Sequence, residues 1–226
     1  MRATKRSIAA TVLLIGGLAG SAGAWAAVEL VTNGGFETPL ISNVGAGEAP
    51  YFLGFDHKDG TGGDELTGWT LFAPNGGIVL FNANYQGPGN PQAVGAGSQS
   101  VQLEYANDYI EQSIPTNFGQ NYVLSFLLSA FFPPGTSSLE VEINNALVGT
   151  FAGTSVGYTT YTIPFVAAGA STLIHFENGH PGSNTDFGTY PHLDNISVIA
   201  VPEPASLALV GLALAGLGMA RRRKSA

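Results

Sequence analysis

The sequence predicts an all-β body, an antiparallel β-sandwich, flanked by an N-terminal signal peptide and a C-terminal transmembrane helix. Three observations predict it. Short apolar runs recur through the middle of the chain, separated by Gly, Pro and Asn clusters. No window of about 12 residues outside the two ends carries a helical stripe. The basic residues are segregated: of the eight, Arg2, Lys5, Arg6, Arg221, Arg222, Arg223 and Lys224 sit at the ends, and only Lys58 lies between.

The first element is a secretory signal over residues 1–26. Arg2, Lys5 and Arg6 form its positive region and residues 8–18 its apolar stretch. Small residues at Ala24 and Ala26 predict signal peptidase cleavage after Ala26. A retained membrane helix is the competing reading, disfavoured by the short apolar run.

The body spans residues 27–200. Residues 27–202 hold one basic residue against fifteen carboxylates. That field repels phosphate backbones, so nucleic acid is excluded as a partner; cations and neutral ligands such as sugars suit it. The absence of cysteine excludes disulfides and thiolate metal sites. Residues 138–144 are the cleanest strand, with Leu139, Val141 and Ile143 alternating against Glu140, Glu142 and Asn144. A longer, more apolar and central strand is predicted over 121–132. Further strands are predicted over 68–72, 99–104, 108–114, 146–151, 158–165, 171–178 and 192–199. Asn144-Asn145 reads as a hairpin turn, because asparagine tolerates left-handed backbone. Two long Gly-rich connections, 42–67 and 82–98, are expected to be functional or disordered. Even spacing of short strands points to a sandwich.

The tail spans residues 201–226. Residues 205–220 carry no charge and are followed by a basic cluster at 221–224. The run is marginal for a span, since a bilayer core needs about 20 apolar residues, and the cluster fixes its end in the cytoplasm. Pro202 and Pro204 around Glu203 form a rigid breakpoint suited to a protease. Pro202-Glu203-Pro204, the apolar span and the terminal Arg221, Arg222 and Arg223 together closely resemble the PEP-CTERM sorting signal of Gram-negative bacteria. The resemblance implies recognition by an exosortase-type membrane peptidase and a transient inner-membrane stage. Delivery to the cell surface or an extracellular polysaccharide matrix would follow.

Within the body, Leu30–Glu37 (LVTNGGFE), Gly68-Trp69-Thr70, 97–103 (GSQSVQL), 110–116 (IEQSIPT) and 192–198 (HLDNISV) follow one another in order. This ordered set resembles the galactose-binding-like jelly roll of carbohydrate-binding modules and related plant cell-wall domains of unknown function. The resemblance implies a jelly-roll β-sandwich with its first and last strands adjacent, and a structural calcium ion between them. Glu37 and Asp194 would be side-chain ligands and Asn33 a further candidate, hard oxygen donors of the kind calcium takes. Exposed turn carboxylates are the competing reading. The resemblance also implies glycan held by ring stacking, non-catalytically. Tyr51, Phe55, Tyr85 and Tyr190 lie in predicted loops as candidate platforms. Trp69 is another, weighed against a place in the core. Gln112, on the face of Ile110 and Ile114, is expected to bond inside the sandwich or to line a cleft.

Enzymatic patterns are weaker. Gly153-Thr154-Ser155-Val156-Gly157 has the letters of a nucleophile elbow but is followed by strand sequence. Asp56, Asp59, Asp64 and Glu65 crowd a glycine-rich loop, which favours solvation over a cation site or paired-carboxylate hydrolysis. His57, His175, His180, Asp186 and His192 show no ligand spacing. The sequence thus predicts an exported surface protein associating with exopolysaccharide or another glycan. The alternatives are a structural matrix or adhesion protein with no defined sugar ligand and, behind it, a surface polysaccharide hydrolase.

Overall fold

The computed structural model describes residues 28–40, 51–53, 66–73, 77–82, 94–130, 137–154, 157–179, 190–202 and 213–214. The described strands are β1 (Tyr51–Leu53), β2 (Thr70–Phe72), β3 (Ile78–Asn82), β4 (Gln99–Leu103), β5 (Tyr109–Pro115), β6 (Asn121–Ala130), β7 (Leu139–Ile143), β8 (Ala146–Phe151), β9 (Thr159–Val166), β10 (Ser171–Asn178) and β11 (Pro191–Ala200). They form two antiparallel sheets, a six-stranded one ordered β1-β3-β4-β11-β6-β9 and a five-stranded one ordered β2-β5-β10-β7-β8. The fold is the all-β jelly-roll sandwich that the sequence predicts. Only Ala213 and Leu214 of the predicted tail helix are among the described residues, and both are helical. Among those residues, no helix is long and apolar enough to cross a membrane.

Period-two alternation decides which side chains meet between the sheets. Leu124, Phe126 and Leu128 of β6 and Leu193, Ile196 and Val198 of β11 face Ile110 and Ile114 of β5, Ile174 and Phe176 of β10, and Leu139 and Val141 of β7. Phe126 meets Phe176 across the gap edge to face, ring centroids 5.4 Å apart. β9 closes one edge of the six-stranded sheet with alternating half-buried and exposed residues. Pro164 sits on that edge strand, the place in a sheet where proline is tolerated. The described core draws only on residues 30–200, within the body.

The first described segment lies beside the last strand. Leu30 N–H donates to the Val198 carbonyl at 3.1 Å and Ile196 N–H to the Gly34 carbonyl at 2.9 Å. The approach is close enough that a Cβ on Gly34 would stand 1.8 Å from the Ile196 carbonyl oxygen. Glu29 adds a clamp, its Oε1 accepting from the N–H groups of Val31 and Val198, each at 2.9 Å. A bulge in β11 between Asp194 and Ser197, with Asn195 at φ 47°, re-aims this strand next to that contact.

Candidate functional site

Glu37 and Asp194, two of the residues expected to hold calcium, both accept hydrogen bonds from the segment entering β4. Asp194 is fully buried. Its Oδ2 accepts from the N–H groups of Gly95 at 2.9 Å and Ala96 at 2.7 Å, and its Oδ1 from Asn195 N–H at 2.6 Å. Oε1 of Glu37 accepts from Ser98 N–H at 2.6 Å and Gln99 N–H at 3.1 Å. The two carboxylates thus clamp the segment entering β4 from both sides. Gly97 in that segment has φ 63°, and a Cβ there would stand 2.2 Å from Glu37 Oε1. These N–H groups favour the ionised carboxylates as a cation would, while burial, with Glu37 adding to it, still raises Asp194 to about 7. Asn33 is engaged as well: its amide donates to the carbonyls of Thr38 at 2.6 Å and Thr67 at 3.1 Å, and its Oδ1 accepts from Thr38 N–H at 3.1 Å. Among the described residues no three His, Asp or Glu side chains stand together as a metal-ligand set.

Trp69 is not a sugar platform. It is 7% exposed, packs against Phe36 and Phe176 at 5.6 and 6.3 Å, and donates its indole N–H to the Asn33 carbonyl at 3.1 Å. Tyr190 is not an open loop ring either: it is 8% exposed and meets Tyr105 edge to face at 6.3 Å. Tyr51 is placed by its backbone alone, in edge strand β1 rather than in a loop. Gln112 is buried inside the sandwich and brackets the chain, donating to the carbonyls of Thr32 and Gly68 at 2.9 and 2.7 Å and accepting from Thr32 N–H at 2.7 Å. Thr154 and Gly157 form an isolated bridge and strand β9 follows, so the Gly153–Gly157 stretch lacks the helix of a nucleophile elbow. Phe55, Tyr85, Asp56, His57, Asp59, Asp64, Glu65, His180 and Asp186 lie outside the described residues. So do the processing positions Ala24, Ala26, Glu203, Pro204, Arg221, Arg222 and Arg223; Pro202 is exposed at the end of the body.

The outer face of the five-stranded sheet carries a site that the sequence reading did not single out. Cross-strand register sets two rows over it. One runs Phe72, Tyr109, Glu177, Glu140 and Thr150; the other runs Thr70, Glu111, His175, Glu142 and Leu147. Phe72, at the sheet edge and 36% exposed, stacks on Tyr109 with centroids 4.9 Å apart. Tyr109 in turn covers His175 at 4.4 Å. The imidazole is 8% exposed and bridges two carboxylates, Nδ1 to Glu111 Oε2 at 3.1 Å and Nε2 to Glu177 Oε2 at 3.2 Å. Burial, then the charges of Glu111 and Glu177, raise the Tyr109 hydroxyl above its ordinary range, which keeps it a hydrogen-bond donor.

Four carboxylates therefore share two rows with one imidazole, and none of the described residues is Lys or Arg. Glu177 and Glu140 stand directly opposite each other, an arrangement that weakens a strand pair. Local costs of this kind concentrate at functional sites. The face offers one open ring surface, a phenolic hydroxyl and carboxylate oxygens held in place by His175. Its signal in the sequence is the outward half of each alternating strand, Tyr109 with Glu111, His175 with Glu177, and Glu140 with Glu142.

The family model described as a protein of unknown function, DUF642, matches residues 29–199, and the chain belongs to that family. The PEP-CTERM protein-sorting motif matches residues 200–224, marking the chain for export to the surface or extracellular space. No curated protein matches the chain. Among solved structures it is similar to CBM35 from Paenibacillus barcinonensis, at 22% identity over 60% of this chain and 94% of that one, TM-score 0.41. The CBM22-1 xylan-binding domain from the same organism is 15% identical over 61% and 88%, TM-score 0.40. TmCBM61 in complex with β-1,4-galactotriose is 11% identical over 60% and 90%, TM-score 0.42. No ligand carries over to this chain from likenesses so remote.

Proposed function

We infer that this is a non-catalytic, glycan-binding protein of the bacterial surface, and that the outer face of the five-stranded sheet is its binding surface. The observation that supports the reading most is the exposed Phe72–Tyr109 stack beside carboxylates fixed by His175. Sugars are recognised by an apolar C–H face laid on a ring and by hydroxyls donating to fixed acceptors, and both partners are present in adjacent rows. The acidic field favours neutral or amine-bearing polysaccharide and repels uronate polymers. In this reading signal peptidase removes residues 1–26, the tail is held briefly in the inner membrane, and an exosortase-type peptidase cuts near Pro202-Glu203-Pro204. The body is then left among the exopolysaccharides it binds.

Affinity electrophoresis of residues 27–200 in gels containing neutral, amine-bearing or uronate polysaccharides tests the reading. Retardation is expected in at least one of the first two and not in the third. Phe72→Ala should weaken it about tenfold or more, as truncating a central contact ring does, with the circular dichroism spectrum unchanged. No retardation in any gel would leave a matrix protein without a sugar ligand, and equal retardation of the variant would place binding away from Phe72.

A further inference from the structure

The turn between β4 and β5 holds two acidic side chains that the glycan-binding face does not use. Asp108 is fully buried; its Oδ2 accepts from Tyr105 N–H at 2.9 Å, while its Oδ1 is buried with no hydrogen-bond partner. Glu104 Oε2 is likewise buried and unpartnered. The backbone around them is locked. Glu104 N–H donates to Gly77 at 3.2 Å, Asn107 N–H to Asn178 at 3.0 Å, Asn178 N–H to Asp108 at 2.9 Å and Asp108 N–H to Tyr105 at 3.0 Å. The two oxygens are thus held in a rigid turn.

A carboxylate accepts and cannot donate when ionised, so these two unpartnered buried oxygens call for a proton, a water or a cation. Glu37 and Asp194 draw N–H donors from the chain itself; Glu104 Oε2 and Asp108 Oδ1 draw none. Lys and Arg are missing from the described residues, so no side-chain ammonium or guanidinium described in the structure can serve. All the donors are hard oxygens, which selects calcium over softer metals. We propose that the β4–β5 turn is a binding site for a calcium-type divalent cation, held by Glu104 and Asp108 and completed by main-chain oxygens and water. Burial raises Glu104 and pushes Asp108 up to about 7, with Glu104 contributing, and backbone bonds to Gly77, Tyr105 and Glu104 offset only part of it. With two carboxylates the site is weak, in the range of about 10⁻⁴ to 10⁻³ M that extracellular modules show, which suits an exported protein.

The test is thermal unfolding of metal-stripped residues 27–200 at pH 8, without and with 10 mM calcium chloride, for the wild type, Glu104→Gln, Asp108→Asn and Glu37→Gln. Calcium should raise the wild-type Tm by about 3–10 °C, given that affinity and the size of the body. The shift should vanish in Glu104→Gln and Asp108→Asn, both close to isosteric, and survive in Glu37→Gln. Terbium luminescence, read by displacement with calcium, should give the same ordering even for a variant whose Tm has fallen. A calcium-independent wild-type Tm, with both turn variants gaining stability, would show a shared proton and overturn the proposal. So would a shift that persists in the turn variants or is lost in Glu37→Gln.

Discussion

Asparagine, glutamine and carboxylate side chains join loops to strands throughout this sandwich, and their roles are set by main-chain donors. Asn33, Gln99 and Gln112 all work on the segment from Thr32 to Pro39, and Gln99 donates to the Pro39 carbonyl at 2.8 Å. The closeness of Glu37 to Asp194 was legible through the family resemblance, since both motifs lie on segments that the fold brings together. Their partners were not legible, because a sequence displays carboxylates and hides N–H groups. Trp69 shows the same limit: a tryptophan after glycine reads as platform or core, and only the opposing Phe36 and Phe176 decide. Replacing it with alanine should lower stability by about 3–5 kcal/mol in denaturant unfolding; a loss under 1 kcal/mol would contradict the packing.

Burial holds the His192 imidazole neutral, its pKa lowered to about 3. The folded pKa lies below the unfolded value, so its contribution is present above about 6.5 and is lost as pH falls toward 3, at about 1.4 kcal/mol per unit. Asp194, raised to about 7 by burial, acts in the opposite sense and loses its contribution as pH rises through 7. Between pH 4 and 6.5 the two oppose each other. Removing the imidazole with His192→Gln should therefore make the stability difference, variant minus wild type, climb steadily as pH falls from 6.5 to 4 in chelated buffer. Parallel curves would contradict it.

Alternation made the half-buried strands readable, and β7, β8 and β10 lie within a residue of where their apolar and polar positions put them. β3 was not singled out because Ile78–Asn82 is buried on both faces, which erases period two. Val79 and Phe81 pack with Val94 into a second small cluster on the outer side of the sheet, something no local pattern announces. β1 fell inside a predicted loop because three residues carry too little pattern to register. The long strand β6 lies in the sheet interior, as its apolar content implies, with β9 beyond it. The β7–β8 turn was legible in full: Asn144 and Asn145 have φ 52° and 61°, and Asn144 Oδ1 accepts from Leu173 N–H at 2.9 Å. Asn144→Ala should cost about 1 kcal/mol from that bond, with added backbone strain, whereas Asn145→Gly should be neutral or slightly stabilising. A costlier Asn145→Gly in thermal denaturation would mean the turn geometry is wrong.

Charge placement is the property of the whole molecule that the sequence displays best. Seven of eight basic residues lie at the ends, and a sorting motif at residues 200–224 implies export. The proposed binding face was only half legible. Glu140 and Glu142 were visible as the outward half of an alternating strand, but the meeting of Glu111 and Glu177 at His175 depends on β5 and β10 being neighbours, an order that topology sets and spacing does not. One measurement tests the account most directly: amide and side-chain chemical-shift mapping of residues 27–200 titrated with neutral and amine-bearing oligosaccharides. Shifts confined to Thr70–Phe72, Tyr109–Ser113 and Leu173–Glu177 are the predicted result. A saturable response centred on any other surface, with these strands silent, would contradict it.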